Sequence, residues 1–129
     1  MPKAKQFTIW SSDRPGVLGE VGSALGEKRV NIQAFLAQAS EGQCPIRLVV
    51  DKPAVARKVL AARGWNFTEE EVAVVTLPDK PGSLGAVASK LGKAGINIQY
   101  AYTGPAKRAR KVNAYLAVAD VTAALKTLR

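Results

Sequence analysis

Residues 13–33 and 79–99 match without a gap at 12 of 21 positions, an internal repeat that limits the folds open to this chain more than any other feature. The identities are Asp13/Asp79, Pro15/Pro81, Gly16/Gly82, Leu18/Leu84, Gly19/Gly85, Val21/Val87, Ser23/Ser89, Leu25/Leu91, Gly26/Gly92, Asn31/Asn97, Ile32/Ile98 and Gln33/Gln99, all at an offset of 66 residues. Further on the offset becomes 68, where Leu48-Val49-Val50 faces Leu116-Ala117-Val118. Such a slip is what a change in loop length between two copies produces. The 129 residues therefore divide into two copies of one unit, with expected domains at 1–70 and 71–129. Units of about 65 residues are stable when they share buried surface.

Each copy carries the same succession of signals. Phe7 to Ser11 and Val72 to Leu77 are β-branched and aromatic runs stopped by a proline and glycine, as a strand entering a loop is. Leu18, Val21, Gly22 and Leu25, repeated as Leu84, Val87, Ala88 and Leu91, form a helical stripe. Gly95 is placed to end the second helix in a left-handed conformation, and Arg29 is its less comfortable counterpart. Asn31 to Gln38 and Asn97 to Thr103 are expected strands, with Ile32, Ala34 and Leu36 on one face. Turns at Ser40-Glu41-Gly42-Gln43 and Gly104-Pro105 lead to third strands, Ile46 to Val50 and Val112 to Val118. Asp51 and Asp120 are expected to cap the closing helices, the first with Pro53 in its opening turn. A fourth strand around Trp65 to Thr68 completes the first copy. The class is thus α+β: two tandem ferredoxin-like βαββαβ units, antiparallel sheets with both helices on one face, the second lacking its last strand. That absence leaves a sheet edge for a strand of the same molecule or of a partner to cover.

Composition removes several chemistries. There is no histidine and Cys44 is the single cysteine, so His-based nucleophile pairs, zinc sites and intrachain disulfides are not expected, and no cofactor or metal is foreseen. Glu69-Glu70-Glu71 lie between the copies without a paired acid and base, and no catalytic residue is identified. The N-terminus lacks a signal-peptide pattern, and no run approaches the roughly 20 apolar residues that span a bilayer. A cytoplasmic protein is expected, with no membrane partner. The net charge of +9 is mostly scattered over helix exteriors, except at Lys107, Arg108, Arg110 and Lys111. This cluster suits a solvated hairpin loop more than a phosphate-binding site.

Chemistry concentrates in the loop after each first strand. Proline fixes φ, glycine lets a ligand approach the backbone, and the following helix N-terminus presents unpaired amides with partial positive charge. Asp-x-Pro-Gly-x-Leu-Gly is therefore suited to cradle a carboxylate. An Asn-Ile-Gln follows 15 residues after each glycine, and an asparagine amide both accepts from an ammonium and donates to a carboxylate.

This pattern, with Gly-Ile-Asn-Ile-Gln at 95–99, resembles the ACT domain, the ferredoxin-like module that gives enzymes of amino-acid metabolism their feedback control. The resemblance covers nearly the whole chain and is similar in layout to small stand-alone proteins made of two ACT domains. It implies a regulatory, non-enzymatic protein that forms a homodimer or acts on a partner enzyme and binds an amino acid between one unit's loop and its neighbour's second strand. Carried over, Asp13, Arg14, Pro15, Gly16, Val17 and Leu18 would pair with Asn97, Ile98 and Gln99. Likewise Asp79, Lys80, Pro81, Gly82, Ser83 and Leu84 would pair with Asn31, Ile32 and Gln33. The competing reading is a basic ferredoxin-like nucleic-acid-binding module, which the absence of the RRM aromatic motif makes the weaker of the two.

Overall fold

The computed structural model describes residues 3–129. In chain order the elements are β1 (Lys3–Ser12), α1 (Val17–Glu27), β2 (Ile32–Ala37), β3 (Gln43–Val50), α2 (Pro53–Ala62), β4 (Phe67–Pro78), α3 (Ser83–Lys93), β5 (Tyr100–Pro105), β6 (Lys111–Ala117) and α4 (Val121–Leu128). Two compact units result: Lys5–Glu70, and Glu71–Arg129 together with residues 3–4.

In the first unit the strand order is β2-β3-β1-β4. β3 runs antiparallel to β1, with Phe7 opposite Leu48 and Ile9 opposite Ile46, and antiparallel to β2. Period-2 alternation sends Phe7, Ile9, Ile46, Leu48 and Val50 to one face, where they meet Val17, Val21 and Leu25 of α1 and Ala56 and Leu60 of α2. Both helices therefore cover the same face. The second unit repeats the plan with β4-β6-β5, all antiparallel; Ala73, Leu77, Ala114, Leu116 and Val118 pack under Leu91 of α3 and Ala124 of α4.

Several sequence expectations need correction. The strand at 65–68 and the strand at 72–77 are one element, β4. No glycine or proline interrupts Thr68 to Glu71, and the acidic run is held at both sides, Glu69 by Lys5 and Arg57 and Glu71 by Lys3. The apolar stripe of the first helix turns one residue from its expected setting. Leu18 and Leu84 are 43% and 60% exposed, while Val17, Val21, Ala24 and Leu25 face inward. The helix begins at Val17, so the inward i, i+4, i+7, i+8 positions start there. β2 starts at Ile32 because Asn31 is engaged elsewhere: its N–H donates to Asp51 Oδ1 at 2.9 Å, and its carbonyl accepts from the Asp51 N–H at 3.1 Å. With its carboxylate used there, Asp51 does not cap α2, whose N-cap is Lys52 without a side-chain cap; Pro53 does occupy the opening turn. Asp120 caps α4 as expected, accepting from the Ala123 N–H at 3.0 Å.

A register shift between Ile32 and Ala34 breaks the alternation foreseen for β2. Ile32 packs against the helix-covered core, whereas Ala34 is buried outside it. β5 starts three residues late, at Tyr100, and its ladder continues to Pro105 opposite Val112. The hairpin turn therefore lies at 106–110 and not at Gly104-Pro105. The left-handed helix stops are where the repeat puts them, Arg29 at φ 59 and Gly95 at φ 77.

The second copy does not end in the open edge foreseen for it: β4 is hydrogen-bonded between β1 and β6, residues 3–4 of β1 belong to the second unit, and Lys3 Nζ is 3.8 Å from Glu71. A cavity of about 650 Å³ is lined there by Lys3, Val74, Val75, Thr76, Leu125, Leu128 and Arg129.

Candidate functional site

The two Pro-Gly loops share one backbone. Gly16 has φ 89 and ψ −9, and Gly82 has φ 88 and ψ −13, left-handed conformations open to glycine and costly for other residues. Each is the N-cap of its helix, without a side chain capping the first turn, so no side-chain acceptor claims the leading amides of α1 and α3; in α3 the Ser83 N–H donates to the Lys80 carbonyl at 3.4 Å. A Cβ built on either glycine meets nothing within 4 Å, which leaves the space above each loop open. The loops are anchored alike. The Asp13 N–H donates to the Gly42 carbonyl at 3.0 Å, and the Asp79 N–H donates to the Arg110 carbonyl at 2.8 Å, so each hairpin turn lies against its unit's loop.

Within the first unit, Asp13, Arg14, Pro15 and Gly16 are exposed, Val17 joins the core and Leu18 stands out at the start of α1. Asn31 is exposed but tied to Asp51, Ile32 packs against the core and Gln33 is half-buried at the register shift. Within the second, Asp79, Lys80, Pro81, Gly82 and Leu84 are exposed. Ser83 takes the place of Val17, and its Oγ is enclosed without a hydrogen-bond partner. Asn97 and Gln99 are exposed ahead of β5, Ile98 packs against the core and the Gln99 N–H donates to the Ala117 carbonyl at 2.8 Å. The isoleucine of each Asn-Ile-Gln thus serves the fold, and Asn31, Asn97 and Gln99 are left at the surface while Gln33 is half-buried. The halves of each expected pairing belong to different units, and their geometry is that of each unit alone.

A cavity of about 170 Å³ abuts the first loop, lined by Ile9, Trp10, Ser11, Ser12, Arg14, Val17, Glu20, Val21 and Trp65. Its lining carries one cation and one carboxylate, paired at 2.7 Å between Arg14 Nη1 and Glu20 Oε2. The hydrogen bond from Arg14 holds the Glu20 carboxyl below the usual glutamate value, with the charge of Arg14 adding to it against an opposing desolvation; the Arg14 guanidinium is raised by the same partner. Because the pair is exposed, solvent and salt screen it, and it opens at little cost. Glu20, the two serines and the two tryptophans have no place in the expected site. Trp65 and Trp10 reach the cavity through tertiary packing, which no local spacing announces. Glu20 does have a signal, an acid in the first helical turn six residues after an arginine.

A second polar cluster lies on the opposite face of the first sheet. Gln6 and Thr8 are buried, and Glu70 Oε1 accepts from Gln6 Nε2 at 3.0 Å and from the Thr8 hydroxyl. It is satisfied internally, which fits a role in fixing β4 beside β1. No group of three or more metal-ligating side chains exists among the described residues, and none of their helices is long and apolar enough to cross a membrane.

Comparison with known proteins agrees with this layout. The fold is similar to that of a protein from Bacteroides thetaiotaomicron, with a TM-score of 0.87 at 24% identity, covering 98% of this chain and 86% of that one. It is also similar to the regulatory subunit of aspartate kinase from Thermus thermophilus, with a TM-score of 0.67 at 16% identity over 98% of this chain and 90% of that one. The corresponding subunit from Thermus flavus gives a TM-score of 0.65 at 18% identity, over 99% and 91%. At these identities the likeness concerns the fold. No curated protein matches the sequence. The model of the ACT domain matches residues 72–126, within the second unit.

Proposed function

We propose that the chain is an amino-acid-responsive regulatory protein of two ACT-type units, 1–70 and 71–129, which reports its ligand to a partner enzyme or through a homodimer and does no chemistry itself. The observation that carries this reading is the cavity of about 170 Å³ at the first loop, with Arg14 and Glu20 side by side on its lining. A zwitterion replaces both halves of that exposed ion pair at once. Its carboxylate takes Arg14 and the leading amides of α1, and its ammonium takes Glu20 or an asparagine such as Asn31 or Asn97 of an ACT-type unit. The volume suits a small amino acid, below the range of about 300–1,000 Å³ usual for drug-sized ligands. Leu18 and Leu84, exposed at the same point of both copies, give each loop an apolar lip.

The test is a thermal-shift screen of the common amino acids at millimolar concentration, with amino-acid amides and decarboxylated amines beside them. A ligand at about 100 times its Kd stabilises the fold by about 2.7 kcal/mol, a rise of several degrees in Tm. Amides or amines that shift Tm as far as the parent amino acid would show that no carboxylate cradle exists. Light scattering checks the assembly: a single 13.7 kDa species at tens of micromolar rules out the homodimer.

A further inference from the structure

We infer that the turn between β5 and β6, residues 106–110, together with Lys111 at the start of β6, is a docking surface for the phosphodiester backbone of a nucleic-acid duplex, and not the merely solvated hairpin that the sequence suggests. The charge of the molecule is lodged almost wholly in one unit. Lys5–Glu70 carries nine lysines and arginines against seven carboxylates, a formal +2, while the rest of the chain carries ten against three, a formal +7. Lys107, Arg108 and Arg110 are exposed at the turn with Lys111 at the start of β6, and none of the four pairs with a carboxylate among the described residues. Lys80 extends the patch, because the Asp79 N–H bonded to the Arg110 carbonyl brings the loop at 79–84 against the turn.

The first unit supplies the control. Its corresponding turn has Glu41 at φ 52 and Gly42 at φ 78, no cation, and the same bond to the following loop through Asp13. The fold therefore does not call for positive charge here. Arg110 stands at the position of Gly42 with φ 61, a left-handed conformation in which a residue with a Cβ is strained.

The composition of the turn selects the kind of polyanion. Its uncharged members are Ala106 and Ala109, after Pro105 at the end of β5, with no leucine or aromatic ring. Protein interfaces are centred on buried aromatic or aliphatic anchors from which charges are depleted, and a basic segment holds to a membrane stably only with a second, apolar signal. Phosphate-backbone binding needs cations alone, because its free energy comes from released counterions. Without rings to stack on bases, binding is insensitive to sequence and favours a duplex over a single strand.

The experiment titrates the full chain into a fluorescein-labelled 30-base-pair DNA duplex of mixed sequence, reading anisotropy from 50 to 200 mM KCl. Four phosphate contacts give a log–log slope of about −3.6 and a fall in affinity of roughly a hundredfold across that range. The variant Lys107→Gln, Arg108→Gln, Arg110→Asn, Lys111→Gln is expected to lose that binding while retaining its Tm, asparagine being tolerant of the left-handed region. A second variant, Arg108→Glu, tests the patch with one exposed substitution and is expected to weaken binding several-fold. The control Lys90→Gln, Lys93→Gln, Lys126→Gln, Arg129→Gln removes the same charge elsewhere in the unit and is expected to retain most of it. Three results overturn the assignment: no duplex binding at 50 mM KCl with tens of micromolar protein; equal loss in the control, which marks diffuse attraction; or tighter binding to poly-glutamate or to vesicles of 30% anionic lipid at the same salt, which marks a protein or membrane partner.

Discussion

In the first unit Lys5, Arg14, Arg57 and Arg63 each lie against a glutamate, whereas in the second only Lys3 does so among the described residues. The loops between first strand and helix diverge far less: the two glycines agree within 1° in φ and 4° in ψ. A duplicated chain keeps what its backbone requires. Pro-Gly before a helix and a bond from the following hairpin fix a loop geometry that few sequences satisfy, while surface charge drifts unless something selects it. The shared loops are thus the part to test for a common ligand, and the unshared charge is the part to test for a partner of one unit.

The largest effect comes from the equivalent core positions Leu25 and Leu91, both fully buried. Leu→Ala at either costs about 2–5 kcal/mol through lost transfer energy and the cavity left behind. β4 runs unbroken from Phe67 to Pro78 across the boundary at Glu70, so each substitution is expected to lower one and the same denaturant midpoint. Two transitions, each moved by only one of the variants, would make the units independent folders.

Next come the loops, where the comparison sharpens into a count of sites. Gly16→Val and Gly82→Val both force a β-branched residue into the left-handed region and place its side chain in the open space above the loop. Each is read as the ligand-induced rise in Tm relative to its own ligand-free protein, so that strain cancels. Loss of the whole shift of about 2.7 kcal/mol in one variant and none in the other would assign a single working loop. Asn97→Ala is expected to remove a hydrogen bond to a charged group, about 1.5–3 kcal/mol of ligand binding. The four-residue hairpin variant is expected to leave the amino-acid shift unchanged, which separates the ligand from the duplex.

Most of the architecture was legible in the sequence because the repeat doubles every signal. The glycines at 16 and 82, the turn at 40–43 and the left-handed stops at 29 and 95 follow from local backbone chemistry, which the chain states directly. What was not legible depended on residues distant in sequence. Asp51 is an ordinary N-cap candidate until Asn31, 20 residues earlier, claims its carboxylate. Leu18 and Val17 are both apolar, and only the point where the helix starts decides which faces the core. Trp65 lines the cavity beside Arg14, although more than three quarters of the unit's chain separates them. The acidic run at 69–71 gave no hint that Glu70 meets buried Gln6 and Thr8, since its partners lie at the other end of the first unit.

A smaller effect tests the helix stops. Arg29 and Gly95 occupy the same repeat position with φ 59 and 77, so Arg29→Gly relieves strain that the second unit never had. The expected gain is up to about 1 kcal/mol, less whatever the Lys52 Nζ bond to the Arg29 carbonyl loses as the chain end loosens. The reverse change, Gly95→Arg, is expected to cost a similar amount, and equal Tm values for both variants and the parent would remove strain from the account of the C-cap.

The smallest effect concerns acid. Both glutamates with lowered pKa belong to the first unit: Glu69, held down chiefly by the two hydrogen bonds from Arg57 at 2.7 and 2.8 Å, and Glu20, held down chiefly by Arg14. A carboxylate with a folded pKa below its unfolded value adds stability that is complete above the ordinary glutamate value of 4.5 and is lost as pH falls through the lower folded value. Tm is therefore expected to hold between pH 7 and 5 and to decline below 4.5, and the double variant Glu20→Gln, Glu69→Gln is expected to flatten part of that decline. Because all four side chains are solvent-accessible, the effect should shrink in 0.5 M salt. If the double variant declines as steeply as the parent, the acid sensitivity lies with carboxylates outside these pairs, and the ion-pairing that distinguishes the first unit contributes nothing to its stability.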